Sequence, residues 1–134
     1  MSKTYINVGG QTIEPPSTLP DRKFREAWVL DGSGGVTLDP VKRGEIAIRL
    51  FEEAIEANIE ATAVERGYAN ATRLANYVSS TNAEWKAEAE AFVAWRDAVW
   101  EYAFTELAKV QAGERAERSV EDFLAELPQI AWPA

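Results

Sequence analysis

Residues 82–112 carry the densest apolar pattern in the chain. Large apolar side chains recur there at steps of three and four residues, in two stripes about a third of a turn apart. The stretch holds no Pro or Gly, Thr81 and Glu84 fit a capping box at its start, and Gly113 fits the residue that follows a helix end. The pattern predicts one helix of about 30 residues, roughly 45 Å long. The stripes are Trp85, Phe92, Trp95, Val99 and Tyr102, and Val93, Trp100, Phe104, Leu107 and Val110.

A helix at a protein surface needs only one apolar stripe, so two stripes indicate a helix that is covered from two sides, by its own chain or by another. Two interpretations remain open. The aromatic side chains form only a core, or some of them also form a protein–protein surface, where Trp, Tyr and Phe are enriched. Under the second interpretation the candidate partner-binding residues are Phe24, Trp28, Trp85, Trp95, Trp100, Tyr102 and Trp132.

A second long helix is predicted over residues 39–66. Asp39 is a suitable N-cap, Pro40 suits the first helical position, and Gly67 follows the predicted end. One face of this helix is apolar, and most of its glutamates lie on the other. The apolar face comprises Ile48, Phe51, Ile55 and Ile59.

Two short helices complete the helical part. The first covers residues 70–79, with Leu74, Tyr77 and Val78 expected to face inward. The second covers residues 120–127, where Ser119 is the N-cap and Pro128 prevents continuation. The chain closes on Ile130 and Trp132 between prolines, and we expect this extended ending to dock, because a free Trp would be an exposed apolar liability.

The N-terminal part predicts β-structure. Residues 3–14 alternate weakly around Gly9-Gly10, which leaves a β-hairpin and a flexible extended arm both open. Prolines follow, and residues 28–30 are expected to pair with residues 36–38. The predicted fold is therefore mainly α: a helical hairpin of two long helices plus two short helices, with an N-terminal β-hairpin or extended arm. The expected division is a β-containing arm at 1–38 and a helical domain at 39–134.

The amino-acid composition argues against several classes of function. The chain has 134 residues, 14 basic and 22 acidic side chains and a net charge of −8, which argues against binding to nucleic acid or to an anionic membrane surface. Cys and His are both absent, so the commonest nucleophiles, bases and metal ligands are missing. We expect no enzyme activity and no catalytic, cofactor or metal site. The glycine-rich loop at residues 31–35 lacks the Gly-Lys-Ser/Thr of a phosphate-binding loop and is interpreted as a turn.

Two stretches resemble bacteriophage tail proteins. The C-terminal third is similar to the C-terminal region of phage tail fibre assembly proteins, in which a Trp-Arg helix is followed by an ending of the form Pro-x-Ile-x-Trp-Pro. A second segment is similar to one that recurs in small tail-associated proteins of prophages. The residues that carry the first likeness are Trp95, Arg96, Trp100, Pro128, Ile130, Trp132 and Pro133. Those that carry the second are Arg22, Phe24, Arg25, Ala27, Trp28, Asp39 and Lys42.

The resemblance implies a tail or tail-fibre accessory protein without catalysis, acting as a fibre assembly chaperone or as a virion tail subunit. Its implied partner is a tail-fibre or other tail protein. We also expect a homo-oligomer, and a trimer is the first stoichiometry to test. It implies action in the host cytoplasm during assembly, with the virion tail as the other location. Full-length fibre-assembly proteins usually carry a longer β-rich N-terminal domain, so a tail-associated role is favoured over a chaperone role. The alternatives are an intracellular acidic regulatory module that mimics nucleic acid, and an enzyme with a carboxylate-only site.

Overall fold

The computed structural model describes residues 5–134, so the part of the predicted hairpin at residues 3 and 4 lies outside the described chain. The fold is mainly α, with two long helices, two short ones and β-hairpins near the N-terminus, as the sequence predicts. The strands are β1 (Ile6–Val8), β2 (Gln11–Ile13), β3 (Trp28–Leu30) and β4 (Val36–Leu38). The helices are α1 (Pro40–Glu65), α2 (Ala71–Asn76), α3 (Ala83–Gln111) and α4 (Val120–Glu126), with 3-10 turns at Arg22–Ala27 and Tyr77–Ser79.

Two antiparallel hairpins form near the N-terminus. β1 pairs with β2 across Gly9 and Gly10, whose φ angles of 58° and 85° are those of a primed turn. Of the two alternatives for this stretch, the described residues therefore form the hairpin. β3 pairs with β4 in the expected way, with Trp28 opposite Leu38. The loop between them is a turn organised by Asp31, whose carboxylate accepts backbone hydrogen bonds from Ser33 and Gly35.

The contacts divide the chain into two compact units, and the boundary falls inside α1, between Leu50 and Phe51. This division differs from the expected one between residues 38 and 39. In the first unit, Ile46 and Ala47 of α1 pack with Phe24 and Ala27 of the 3-10 turn and form a small buried core. The first turns of α1 therefore contribute to a buried core in the N-terminal unit.

The second unit has the larger core. α1 presents an apolar face that begins at Phe51, and α3 presents its first stripe together with small residues. Leu74 of α2 is fully buried, and Phe123 of α4 packs edge-on against Phe51 with the ring centroids 5.3 Å apart. The buried cluster comprises Phe51, Ile55, Ile59, Ala63, Leu74, Ala89, Phe92, Trp95, Val99, Ala103, Leu107, Phe123 and Leu127.

Most helix ends lie where the sequence places them. Pro40 opens α1, and the Asp39 carboxylate accepts a hydrogen bond from the Val41 amide at 3.1 Å. Ser119 caps α4 by accepting from the Asp122 amide. Gly113, with φ at 75°, closes α3 and donates to the Val110 carbonyl.

Two local predictions were wrong. The N-cap of α3 is Asn82, whose side chain accepts from the Trp85 amide at 3.1 Å, and Thr81 lies one residue too early to cap this helix. Val78 does not face inward and is 38% exposed. It lies in the 3-10 turn that follows α2, where three residues complete a turn, so Leu74 and Tyr77 share a side and Val78 does not.

Candidate functional site

Three of the seven aromatic candidates are core residues. Phe24, Trp28 and Trp95 are 5%, 4% and 8% exposed. The Trp28 indole donates to the Asp21 carbonyl at 3.3 Å, and the Trp95 indole donates to the Pro128 carbonyl at 2.7 Å. Most of the surface of these three side chains is therefore used in packing within the chain.

Tyr102 and Trp132 are half-buried and hold the C-terminal elements in place. The Tyr102 hydroxyl donates to Glu126 of α4 at 2.8 Å. The Trp132 ring stacks on Phe92 with the centroids 6.4 Å apart, and the Arg66 guanidinium lies 4.9 Å from the Trp132 ring centroid. The prediction that Trp132 docks the ending onto the long helix is confirmed.

The second stripe of α3 is only partly covered. We call Val93, Trp100 and Phe104 the α3 aromatic face. Val93 and Trp100 are half-buried, whereas Phe104 is 58% exposed. The rings of Trp100 and Phe104 stack with centroids 5.4 Å apart and planes 26° from parallel. Phe104 was not among the candidates, although its place in the second stripe was the signal that could have found it.

Trp85 is the most exposed of the seven candidates, at 48%. It begins a chain of aromatic rings: Trp85 lies edge-on to Tyr77, with the centroids 5.6 Å apart, and Tyr77 lies 5.7 Å from Tyr68. The Tyr68 hydroxyl donates to the Glu88 carboxylate at 3.2 Å. The exposed Trp85 ring thus packs against Tyr77, which in turn packs against Tyr68.

Glu88 is a buried carboxylate in α3 and is fully satisfied. Arg66 donates to it through Nε at 3.0 Å and through Nη2 at 3.4 Å, and the Tyr68 hydroxyl supplies a third hydrogen bond. The hydrogen bond from Arg66 lowers the pKa of Glu88. Burial and the neighbouring carboxylate raise the pKa of Tyr68. This cluster holds the end of α1 against α3 and keeps Glu88 ionised.

A second polar cluster ties the loop after α3 to α4. Arg115 donates to Glu106 at 2.7 Å and also binds Glu126 with one guanidinium nitrogen. Glu126 accepts a further bond from Tyr102, and Arg118 lies 3.5 Å from it. Hydrogen bonds from Arg115 lower the pKa of both Glu106 and Glu126. No sequence signal pointed to this cluster, because its members are far apart along the chain.

A cleft of about 490 Å³ opens in the second unit between α1 and the chain that follows α4. Asn58, Thr62 and Glu65 line it from α1, and Arg66 lines it from the turn after α1. Trp95 lines it from α3 and Leu124 from α4. The residues after α4 that line it are Leu127, Pro128, Gln129, Ile130 and Trp132. Its lining is largely polar and includes the charged side chains of Glu65 and Arg66, with Trp95 and Leu124 among the apolar residues.

The direction of the pKa shifts and the grouping of the acidic side chains describe the chemistry of these sites. The carboxyl groups with a shifted pKa in the described chain, Asp31, Glu88, Glu106 and Glu126, are all shifted downward. An acid catalyst near neutral pH needs a raised pKa. Within residues 5–134, no three acidic side chains are grouped so that they could hold a metal ion. Among the helices of that same stretch, none combines the length and apolar character that crossing a bilayer requires.

Comparison of the chain with models of protein families, with curated proteins and with solved structures gave no match.

Proposed function

We propose that this chain is an accessory protein of a bacteriophage tail or tail fibre that acts by binding another protein, as a fibre assembly chaperone or as a tail subunit of the virion. The observation that carries the binding role is the α3 aromatic face, on which Phe104 is 58% exposed and stacks on Trp100. The identity of the assembly rests on the resemblance of the Trp-rich helix and of the Pro-x-Ile-x-Trp-Pro ending.

The α3 aromatic face has the character of a protein-binding surface. Two large rings held together on a helix lose little conformational entropy on binding, and Trp is enriched among the residues that dominate binding energy. Glu101 and Thr105 are exposed beside Phe104 and provide a polar rim. The partner surface must therefore offer an apolar pocket for the Phe104 ring.

The test is co-expression with the gene product of the neighbouring tail-fibre gene, followed by co-purification. Phe104→Glu should abolish the complex, because it places a charge in the apolar contact. Val64→Glu is the matched control: Val64 is 51% exposed on α1, and the same substitution there should leave the complex intact. Co-purification that survives Phe104→Glu would overturn the assignment of this face.

The oligomeric state is tested separately, by light scattering of the isolated protein and then of the complex. A trimer of this chain is the first expectation, because a trimeric fibre supplies three equivalent surfaces. A monomer that does not associate in the presence of the fibre protein would contradict the tail assignment.

The alternative is an acidic regulatory module. Four glutamates on α1 are exposed, and they give the helix a negative face: Glu52, Glu53, Glu56 and Glu60. A protein that mimics nucleic acid would present such a row to a basic partner. Binding to a basic partner that disappears at high salt and is unaffected by Phe104→Glu would favour this alternative.

A further inference from the structure

The chain after α4, residues 128–134, is held to the larger core by side chains. Ile130 and Trp132 pack against that core. The Trp132 ring stacks on Phe92 with planes 9° from parallel, and Phe92 is fully buried. A polar contact is added by the Trp95 indole, which donates to the Pro128 carbonyl at 2.7 Å. We call residues 128–134 the C-terminal segment.

The backbone of the C-terminal segment adds little to this attachment. From Gln129 to Trp132 it makes no hydrogen bond with any residue between positions 5 and 134. Helix α4 does not continue into the segment, because it ends at Glu126 and Leu127 is extended, with φ −64° and ψ 147°. Detaching the segment therefore breaks no helix or sheet hydrogen bonds. Elements attached in this way open locally while the rest of the fold stays intact.

Arg66 connects the C-terminal segment to α3. It lies in the turn after α1 and donates to the Glu88 carboxylate through Nε at 3.0 Å and through Nη2 at 3.4 Å. The same guanidinium group lies over the Trp132 ring, 4.9 Å from its centroid. A cation in this position is attracted by the face of an indole. Glu88 therefore fixes the position of the charge that attracts Trp132.

The Arg66 side chain depends on Glu88 for this position. It is 37% exposed and long, whereas the Glu88 side chain is 11% exposed and is set in the middle of a helix turn. The two N–H groups bonded to the carboxylate hold the guanidinium plane, and its face is left for the ring. Without the charge of Glu88, the Arg66 side chain regains rotamer freedom and spends less time over Trp132.

We propose that the C-terminal segment is a strap that opens without unfolding of the larger core, and that the Glu88–Arg66 pair sets how often it opens by holding the guanidinium group over Trp132. Glu88 is a positioning residue, since it acts on the strap through Arg66. Opening uncovers Phe92 and removes the wall that the segment contributes to the cleft of about 490 Å³. The inference goes beyond the proposed function, because it concerns a motion of the chain by itself.

The probe of opening is the indole N–H proton of Trp95, which is bonded to the Pro128 carbonyl and exchanges with solvent when the segment leaves. Its exchange with deuterium is followed by two-dimensional NMR, together with that of the Trp28 indole and the Val99 amide. The Trp28 indole donates to the Asp21 carbonyl in the other unit, and Val99 is fully buried in α3. After correction for intrinsic exchange rates, the Trp95 indole should be at least about tenfold less protected than the Val99 amide.

The test variant is Glu88→Gln, which removes the charge and keeps the size of the side chain. A substitution lowers the protection of a proton only where the open form has lost the interaction that the substitution weakens. The hold on Arg66 favours the closed strap, so the protection of the Trp95 indole should fall about fivefold or more, as expected when the attraction of a cation for an indole is weakened. The Trp28 indole should change less than about twofold.

Tyr68→Phe is the matched control. It removes another hydrogen bond to Glu88 and leaves the two from Arg66 in place. The bond from Tyr68 does not involve the strap and persists when the strap opens. The Trp95 indole should therefore keep its protection within about twofold, while the Val99 amide, which reports on unfolding of the core, becomes less protected.

Three results would overturn the proposal. The first is equal protection of the Trp95 indole and the Val99 amide in the wild-type chain, which would mean that the segment leaves only when the core unfolds. The second is unchanged protection of the Trp95 indole in Glu88→Gln, which would leave Glu88 the structural role of holding α1 against α3. The third is an equal loss at the Trp95 indole in Tyr68→Phe and Glu88→Gln. None of them affects the co-purification test of Phe104→Glu, so the strap and the α3 aromatic face can fail independently.

Discussion

At the scale of single residues, the tryptophans differ in how completely other side chains cover them. Trp132 contacts Phe92 and Arg66, whereas Trp85 is 48% exposed and has one neighbouring ring. Trp132→Ala should lower the free energy of unfolding by about 2–3 kcal/mol, since a packed ring is lost. Trp85→Ala should cost less than about 1 kcal/mol. Urea unfolding at one pH measures both, and equal losses would contradict the difference in packing.

The Arg115 cluster predicts an acid limit to stability. Arg115 lowers the pKa of Glu126 in the folded chain below the ordinary value of 4.5, so the unfolded chain binds the proton more readily. The stabilisation is complete above about pH 4.5 and is lost as the pH falls through the lowered pKa. The same sign holds for Glu106 and Glu88.

Glu126→Gln removes one of these three titratable carboxyl groups. We expect this variant to have a lower Tm than the wild type at pH 7, because the ion pair with Arg115 is lost, and a smaller fall in Tm between about pH 5 and pH 3. Glu90→Gln, at an exposed position of α3, is the control and should follow the wild-type curve. Thermal unfolding across this pH range provides the measurement, and a parallel pair of curves for Glu126→Gln and the wild type would contradict the prediction.

Side-chain roles were the part that the sequence predicted least well. The apolar stripes indicated that Phe92 and Val99 are buried, because periodicity records which face is covered. Periodicity does not show how completely each residue of that face is buried. Phe104 is exposed, although it belongs to the same stripe as the buried Leu107. The pairing of Arg115 with Glu126 depends on how the loop after α3 folds back, which no local pattern encodes.

At the scale of elements, helix α3 provides a direct test of capping. The Asn82 side chain accepts from the Trp85 amide, whereas the sequence favoured Thr81 as the cap. Asn82→Ala should therefore cost about 1 kcal/mol of stability, and Thr81→Ala should have almost no effect. Chemical denaturation of the two variants distinguishes them, and a larger loss for Thr81→Ala would show that the helix begins one residue earlier.

The elements themselves were predictable because their signals are local. Helices α1 and α3 are each followed by a glycine with positive φ, Gly67 and Gly113. The β3–β4 pairing follows from apolar positions on both sides of a glycine-rich turn. The 3-10 turn after α2 was not separated from the helix, since its residues have ordinary helix propensities. The consequence is the outward direction of Val78.

At the scale of the whole molecule, the division inside α1 could not be read from the sequence. A continuous helix has one periodic pattern, and nothing in that pattern marks where its contacts change from one core to another. The prolines at positions 15, 16 and 20 lie within the first unit and do not mark its boundary. The small core around Phe24 depends on contacts with Ile46, which is 22 residues away in sequence, so no local pattern indicates it.

The two cores differ in size, which predicts unequal resistance to local unfolding. Among residues 5–134, the core around Phe24 contains four buried residues, whereas the core around Phe92 contains thirteen. Because local stability follows the buried apolar contacts that must be broken, amides of β3 and β4 should exchange faster than those in the middle of α3. We expect the amides of Val99 and Ala103 to exchange at least about tenfold more slowly than that of Val29, which corresponds to ~1.4 kcal/mol.

Hydrogen-exchange mass spectrometry with overlapping peptides measures this directly, and Phe24→Ala should increase the contrast by accelerating exchange in β3 and β4. Equal protection of the two cores in the wild-type chain would mean that they open as one cooperative unit.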